Sequence, residues 1–283
     1  MNMPTVLPYF WLYQCAFGLQ IPAVALFLAY AFSPRRAFSA TATGFLSASL
    51  GCHALFVALS AWGAGRLPLA SGFEALSAWG LVLTALVVAV EWRYKMGLLG
   101  AFLAPLSAAT LLMGFRFAQA DAAPIPGLDD AWLLAHVALV MASYAPFTAA
   151  AGVAGAYLVQ ERQLKAKRLD PLFYELPSLQ ALEGLLAALA GAGAGSLGLG
   201  LLAGFVWRWH YDHSLGLGDA TVLYSVAMVW LYAVGLWLRA RGPLRGRRFA
   251  WLCLAGFLLV FFGYYLVNLY FGGHEFLQSG GGR

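Results

Sequence analysis

The chain has 283 residues, of which 62% are hydrophobic and only 10% charged, and its mean hydropathy is +0.75. A soluble domain carries roughly 25% charged and 45–50% apolar residues, so these figures exclude a water-soluble globular protein, and equally a disordered chain, which needs low hydrophobicity. The net charge of +5 comes from 17 Lys and Arg against 12 Asp and Glu; in so apolar a chain it points to no nucleic-acid partner, and the informative question is where the cations lie.

Eight apolar runs lie near residues 8–32, 38–62, 73–92, 96–115, 132–160, 179–207, 219–239 and 249–271. Each reaches the roughly 20 residues that a helix needs to cross the hydrocarbon core. The first has no basic segment before it and is too long for the apolar core of a signal peptide, so it is a first membrane helix. Pro22 inside it is tolerable where neighbouring helices satisfy the freed carbonyl. The expected fold is therefore all-α, a polytopic membrane bundle of eight transmembrane helices forming a single integral-membrane domain over residues 1–283, with the lipid bilayer as its first partner.

The basic residues orient it. Arg35 and Arg36 follow the first run, Arg93 and Lys95 the third, Arg162, Lys165, Lys167 and Arg168 the fifth, and Arg239, Arg241, Arg245, Arg247 and Arg248 the seventh. These are thirteen of the seventeen cations; Arg66, Arg116, Arg208 and Arg283 fall on the other side. The positive-inside rule puts the thirteen in the cytoplasm and both termini outside. The location expected for such a chain is the cytoplasmic (inner) membrane of a bacterium.

Cys15, Cys52 and Cys253 each sit in an apolar run. An odd count with no C-x-x-C pattern excludes a disulfide framework and a thiolate metal site, and leaves packing residues. The histidines sort differently. His53, His136, His210, His213 and His274 all fall in the outer half of the topology. His210 and His213 belong to the loop between the sixth and seventh runs, where solvation is their simplest role. Their spacing suits one face of a helix and a metal, but no third ligand is evident. His53 reads as an interior histidine bonded to a neighbouring helix. His136 and His274 each mark the boundary between a span and the outer surface. Imidazole is an axial ligand of haem iron, and a pair on different helices has the placement to hold a haem at the outer face.

Other outer features have simpler readings. Trp207, Trp209 and Tyr211 sit where an interfacial aromatic belt belongs, and the same rings have the area to cover a flat apolar ligand. Glu74 opens the third run, and an ion pair with Arg66 is its simplest reading. The small residues of Leu185–Gly204 allow close helix approach, within the chain or with a partner. The spans show no two-fold repeat and no Asp, Lys or Arg at the midplane, which argues against a transporter.

Several segments carry a family resemblance. GRLPLASGFEAL (Gly65–Leu76) resembles GRFPLSNLYESL, and HVALVMASYAPF (His136–Phe147) resembles a histidine-led span with Tyr-Ala eight residues on. LPSLQALEGL (Leu176–Leu185), GFVW (Gly204–Trp207), GRR (Gly246–Arg248) and VNLYFGGH (Val267–His274) follow in the same order. Over about residues 46–276 the chain resembles the CcsA-type cytochrome c assembly proteins and their smaller HemX-like and YpjD-like relatives. The resemblance implies haem as cofactor, His136 and His274 as its axial ligands, and other cytochrome c assembly proteins as partners. It also implies a tryptophan-rich outer segment, W-G-x-Y-W-x-W-D-P-K-E-T. Here that segment falls on DHSLGLGDATVL, residues 212–223, and only Asp219 matches. A further family histidine falls on Trp237. Glycines give none of the stacking area that tryptophans give a porphyrin, so covalent attachment of haem is not expected of this chain. The expectation is a membrane protein that binds or helps deliver haem at the outer face in cytochrome c biogenesis, with His136, His274, Trp207 and Asp219 as its site. The alternative is an accessory or regulatory membrane protein without cofactor, on the HemX-like or YpjD-like branch.

Overall fold

The computed structural model describes residues 9–69, 71–95, 97–118, 130–167, 176–213 and 219–271. They form α1 (Phe10–Phe32), α2 (Arg36–Ala64), α3 (Gly72–Tyr94), α4 (Gly97–Phe117), α5 (Ala131–Ala166), α6 (Leu179–Asp212), α7 (Ala220–Arg241) and α8 (Arg247–Phe271), with no strand among the described residues. The first seven are each long and apolar enough to cross a bilayer. The fold is thus the polytopic helical bundle that the composition demands.

Local chemistry sets the helix ends. Ser71 starts α3 by accepting from Glu74 N at 3.1 Å, and Asp130 starts α5 by accepting from Trp132 N and Leu133 N. Ser178 caps α6 and Asp219 caps α7 in the same way. These side chains satisfy first-turn amides that have no intrahelical acceptor. Helix α4 has a different device. Glu91, buried near the end of α3, accepts from Gly100 N at 2.9 Å and so places a carboxylate in the first turn of α4. Pro22, Pro105 and Pro146 all lie inside continuous helices.

The bundle has two halves. In the first, α1 packs on α2 and α4, and α3 packs on α4; in the second, α5 packs on α6 and α8, and α7 bridges α6 and α8. Helix α5 joins them through α3 and α4, with Trp79 of α3 against Tyr144 of α5 at 5.7 Å. Helix α5 has 36 residues, which is about 54 Å at 1.5 Å per residue, well beyond a 30 Å hydrocarbon core. Its last turns carry Glu161, Arg162 and Lys165 past the membrane.

Ion pairs gather the basic helix ends at one face. Glu183 of α6 meets Arg239 of α7 at 3.4 Å, and Glu161 of α5 meets Arg247 of α8 at 3.8 Å. Exposed aromatics mark both interfaces: Trp92, Trp237 and Trp251 near the basic ends, Trp11, Trp62, Trp132 and Trp209 near the opposite ends. Two such belts are the pattern of a chain seated across a bilayer.

The three cysteines are free, as expected. The small-residue run of α6 is used inside the chain. A Cβ on Gly193 would stand 2.7 Å from the Phe147 ring, and one on Gly200 would stand 3.2 Å from Val140 N. The backbones of α5 and α6 therefore approach through glycine, and Ser196 Oγ donates to Leu139 O across the seam at 2.9 Å. Gly193, Ser196 and Gly200 thus serve packing within the chain.

Candidate functional site

The end of the α5–α6 seam remote from the basic turns is built around His136. Its ring lies half-buried, six residues into α5, with Nδ1 2.8 Å from the carbonyl oxygen of Gly200 on α6. A carbonyl only accepts, so Nδ1 carries the proton, and in the neutral ring the lone pair belongs to Nε2. A bond of this type at the far nitrogen is what fixes the tautomer and orientation of a metal-binding imidazole. Gly204, one turn further along α6, makes room for the ring: a Cβ there would stand 2.5 Å from Nδ1 and 3.0 Å from Cε1. The pair Gly200 and Gly204 thus has two separate functions, one offering its carbonyl and the other offering space.

Trp207 lies on the next turn of α6. It packs with Leu134 and Val137 on Leu133 in the first turns of α5 and stacks on Tyr211 with centroids 5.6 Å apart. The structure therefore brings Trp207 to the same seam as His136. Asp219 has another place. Its carboxylate caps α7 through Thr221 N at 2.8 Å and lies 3.9 Å from Arg208, the neighbour of Trp207. It ties the start of α7 to the end of α6. Helix α8 packs along α5 and is described as far as Phe271; His274, three residues on, lies outside the described residues.

The remaining histidines separate from this site. Helix α6 runs through Asp212 rather than ending near residue 207, so His210 lies in its last turn and His213 is its C-cap, where both were expected in a loop. The extension follows from Arg208, Trp209 and Tyr211, which have good enough helical character to continue beyond the apolar run into the interface. His210 Nδ1 lies 2.8 Å from Val206 O in its own helix, and His213 meets Trp209 edge-on. Among the described residues no group of three or more His, Cys, Asp or Glu is placed to hold a metal ion. His53 is wholly buried in the first half, with Nε2 2.8 Å from Ser77 Oγ on α3, the interior role expected of it.

Arg66 and Glu74 pair as expected, through two bonds of 3.0 and 3.1 Å. This bidentate contact closes the α2–α3 connection. Two interior features were not foreseen. Gln20, Thr84 and Ser107 form a closed buried triangle, with bonds of 3.0 to 3.1 Å linking α1, α3 and α4. The other is the buried Glu91. A polar residue inside an apolar run was the available signal for both.

The profile of the family described as cytochrome C assembly protein matches residues 68–274. The chain belongs to that family. Protein HemX of Brevibacillus brevis is 28% identical over 238 residues, covering 84% of this chain and 87% of that protein. Cytochrome c biogenesis protein CcsA of Chlorella vulgaris is 28% identical over 303 aligned residues, 95% of each chain, and that of Guillardia theta is 27% identical over 246 residues, 80% of this chain and 82% of the other. The chain is thus a CcsA-type family member on the HemX-like branch, and the match takes in the α5–α6 seam, Trp207, Asp219 and His274.

Proposed function

We propose that this multi-pass membrane protein serves cytochrome c biogenesis by binding haem at its outer face and passing it on. His136 and His274 would hold the haem iron in this reading, with Trp207 as apolar cover near His136. The supporting observation is the setting of His136: a half-buried imidazole at a helix seam, its Nδ1 proton committed to the Gly200 carbonyl and its ring seated against Gly204. That arrangement leaves the basic nitrogen as the one suited to iron and holds the ring in a single orientation. Bound haem would supply the iron porphyrin that a cytochrome c requires. The residues of this chain would hold and orient it, with Trp207 packed on Leu133 beside Leu134 and Val137. The sequence in place of the tryptophan-rich segment offers glycine where stacking is needed, so the role is delivery rather than attachment. The natural setting is a bacterial cytoplasmic membrane, with other assembly proteins as recipients.

The experiment is genetic. Cells lacking the protein should lose covalently haem-stained c-type cytochromes, and a plasmid copy should restore them where copies with His136→Ala or His274→Ala do not. Normal cytochrome c levels in the deletion strain would refute the role.

A further inference from the structure

The turn between α7 and α8, RARGPLRGRR (Arg239–Arg248), carries five arginines, and the structure divides them into two sets. Arg239 is paired with Glu183 and lies over the Phe249 ring, and Arg247 is paired with Glu161. These two link helices. Arg241, Arg245 and Arg248 are exposed and make no ion pair with any described carboxylate. They are nonetheless held in place. Arg245 donates from Nε to Arg239 O at 3.1 Å and from a terminal nitrogen to Ala240 O at 3.4 Å, and Arg248 donates to Pro243 O at 3.3 Å. Arg241 lies 5.0 Å over the Trp237 ring. Gly242 and Gly246, at φ +102° and +61°, form the tight turn on which Arg245 lies and which Arg241 and Arg248 flank.

Topology explains why cations are on this side; it does not explain why these three make no ion pair with a described carboxylate, two of them tied to backbone carbonyls and Arg241 set over Trp237. Trp237 and Trp251 mark the headgroup level here, so the guanidinium groups stand where lipid phosphates lie, above the apolar flanks of α7 and α8. Planar guanidinium groups match phosphate oxygens two at a time, and basic clusters at the cytoplasmic ends of spans attract anionic lipid. We infer that Arg241, Arg245 and Arg248 form a binding site for the phosphate headgroup of an anionic phospholipid, with Trp237 under the glycerol region and the acyl chains along α7 and α8.

The test uses the full chain purified in mild detergent, with native mass spectrometry after adding phosphatidylglycerol or phosphatidylcholine. Phosphatidylglycerol should be retained about tenfold better than phosphatidylcholine, and added salt should reduce the difference. The variant Arg241→Gln/Arg245→Gln/Arg248→Gln should lose the preference. The variant Arg35→Gln/Arg36→Gln, which removes basic charge from the α1–α2 turn, should keep it. The corresponding triple Lys variant preserves charge and serves if the Gln variant does not fold; its retention should fall, because Lys has no planar fork. Equal retention of the two lipids by the wild-type protein would overturn the inference. So would an equal loss in the Arg35/Arg36 variant, full competition by inorganic phosphate at equal concentration, or release of the lipid preference only on removal of a co-purifying acidic protein.

Discussion

Replacing Gly204 by alanine tests the seat of His136 with a single methyl group. The added Cβ would stand 2.5 Å from Nδ1 and 3.0 Å from Cε1, closer than packed atoms come, so the ring must tilt or α6 must move away from α5. Either motion stretches the 2.8 Å bond to the Gly200 carbonyl. A hydrogen bond of this kind contributes about 0.5–1.5 kcal/mol net, and about 1.4 kcal/mol corresponds to tenfold in affinity. Loss of the outer partner of a metal-bound histidine typically lowers affinity about 10- to 100-fold. Haem binding by Gly204→Ala, measured by haemin titration of the purified protein, should therefore weaken about tenfold or more. Gly195→Ala on the same helix is the control. A Cβ there meets nothing within 4 Å, and alanine is the better helix former, so its titration should match wild type. Equal haem affinity in Gly204→Ala and wild type, with both folded, would refute the assignment of His136 and its glycine seat.

Three further outcomes follow from the packing. Ser77→Ala removes the partner of His53 Nε2, while Nδ1 has no hydrogen-bond partner among the described residues; thermal unfolding in detergent should show a loss of about 1–3 kcal/mol with haem affinity unchanged. Gly193→Ala forces a methyl against Phe147, which is wholly buried and stacked on Tyr232 at 4.3 Å, and should cost about 1–3 kcal/mol of stability by overpacking. Arg66→Gln should destabilise more than the double variant Arg66→Gln/Glu74→Gln, because the single change leaves Glu74 facing a lost partner; a double-mutant cycle measures the difference.

The membrane architecture was legible because one physical requirement dominates it. A span must be apolar for about 20 residues, and that pattern survives any detail of packing, so all eight helices appear where the hydropathy runs lie. Helix ends were less legible. Helix α6 outlasts its apolar run by five residues, since backbone bonds continue into the interface where polar side chains such as Arg208 and His210 are at ease. The Arg66–Glu74 pair and the interior place of His53 followed from the cost of an unpartnered polar group in an apolar setting. The same argument applied to Gln20 and Glu91 would have located the buried triangle and the carboxylate at the start of α4. At the candidate site, His136 and Trp207 were visible as residue types at a boundary. The contribution of Gly200 and Gly204 was not, because a carbonyl acceptor and a missing side chain leave no chemical mark in a run already rich in glycine. The segment linking α6 to α7 shows its lost tryptophans directly, and Asp219, the one matching position, proves to be the cap of α7.

The most direct test of haem handling is the absorption spectrum of the purified protein, as isolated and after added haemin. The expected result is a Soret band with the low-spin features of two imidazole ligands, reduced to a one-histidine form by His136→Ala or His274→Ala and abolished in the double variant. No Soret band in the wild-type protein even with excess haemin, or an unchanged spectrum in the double variant, would contradict it.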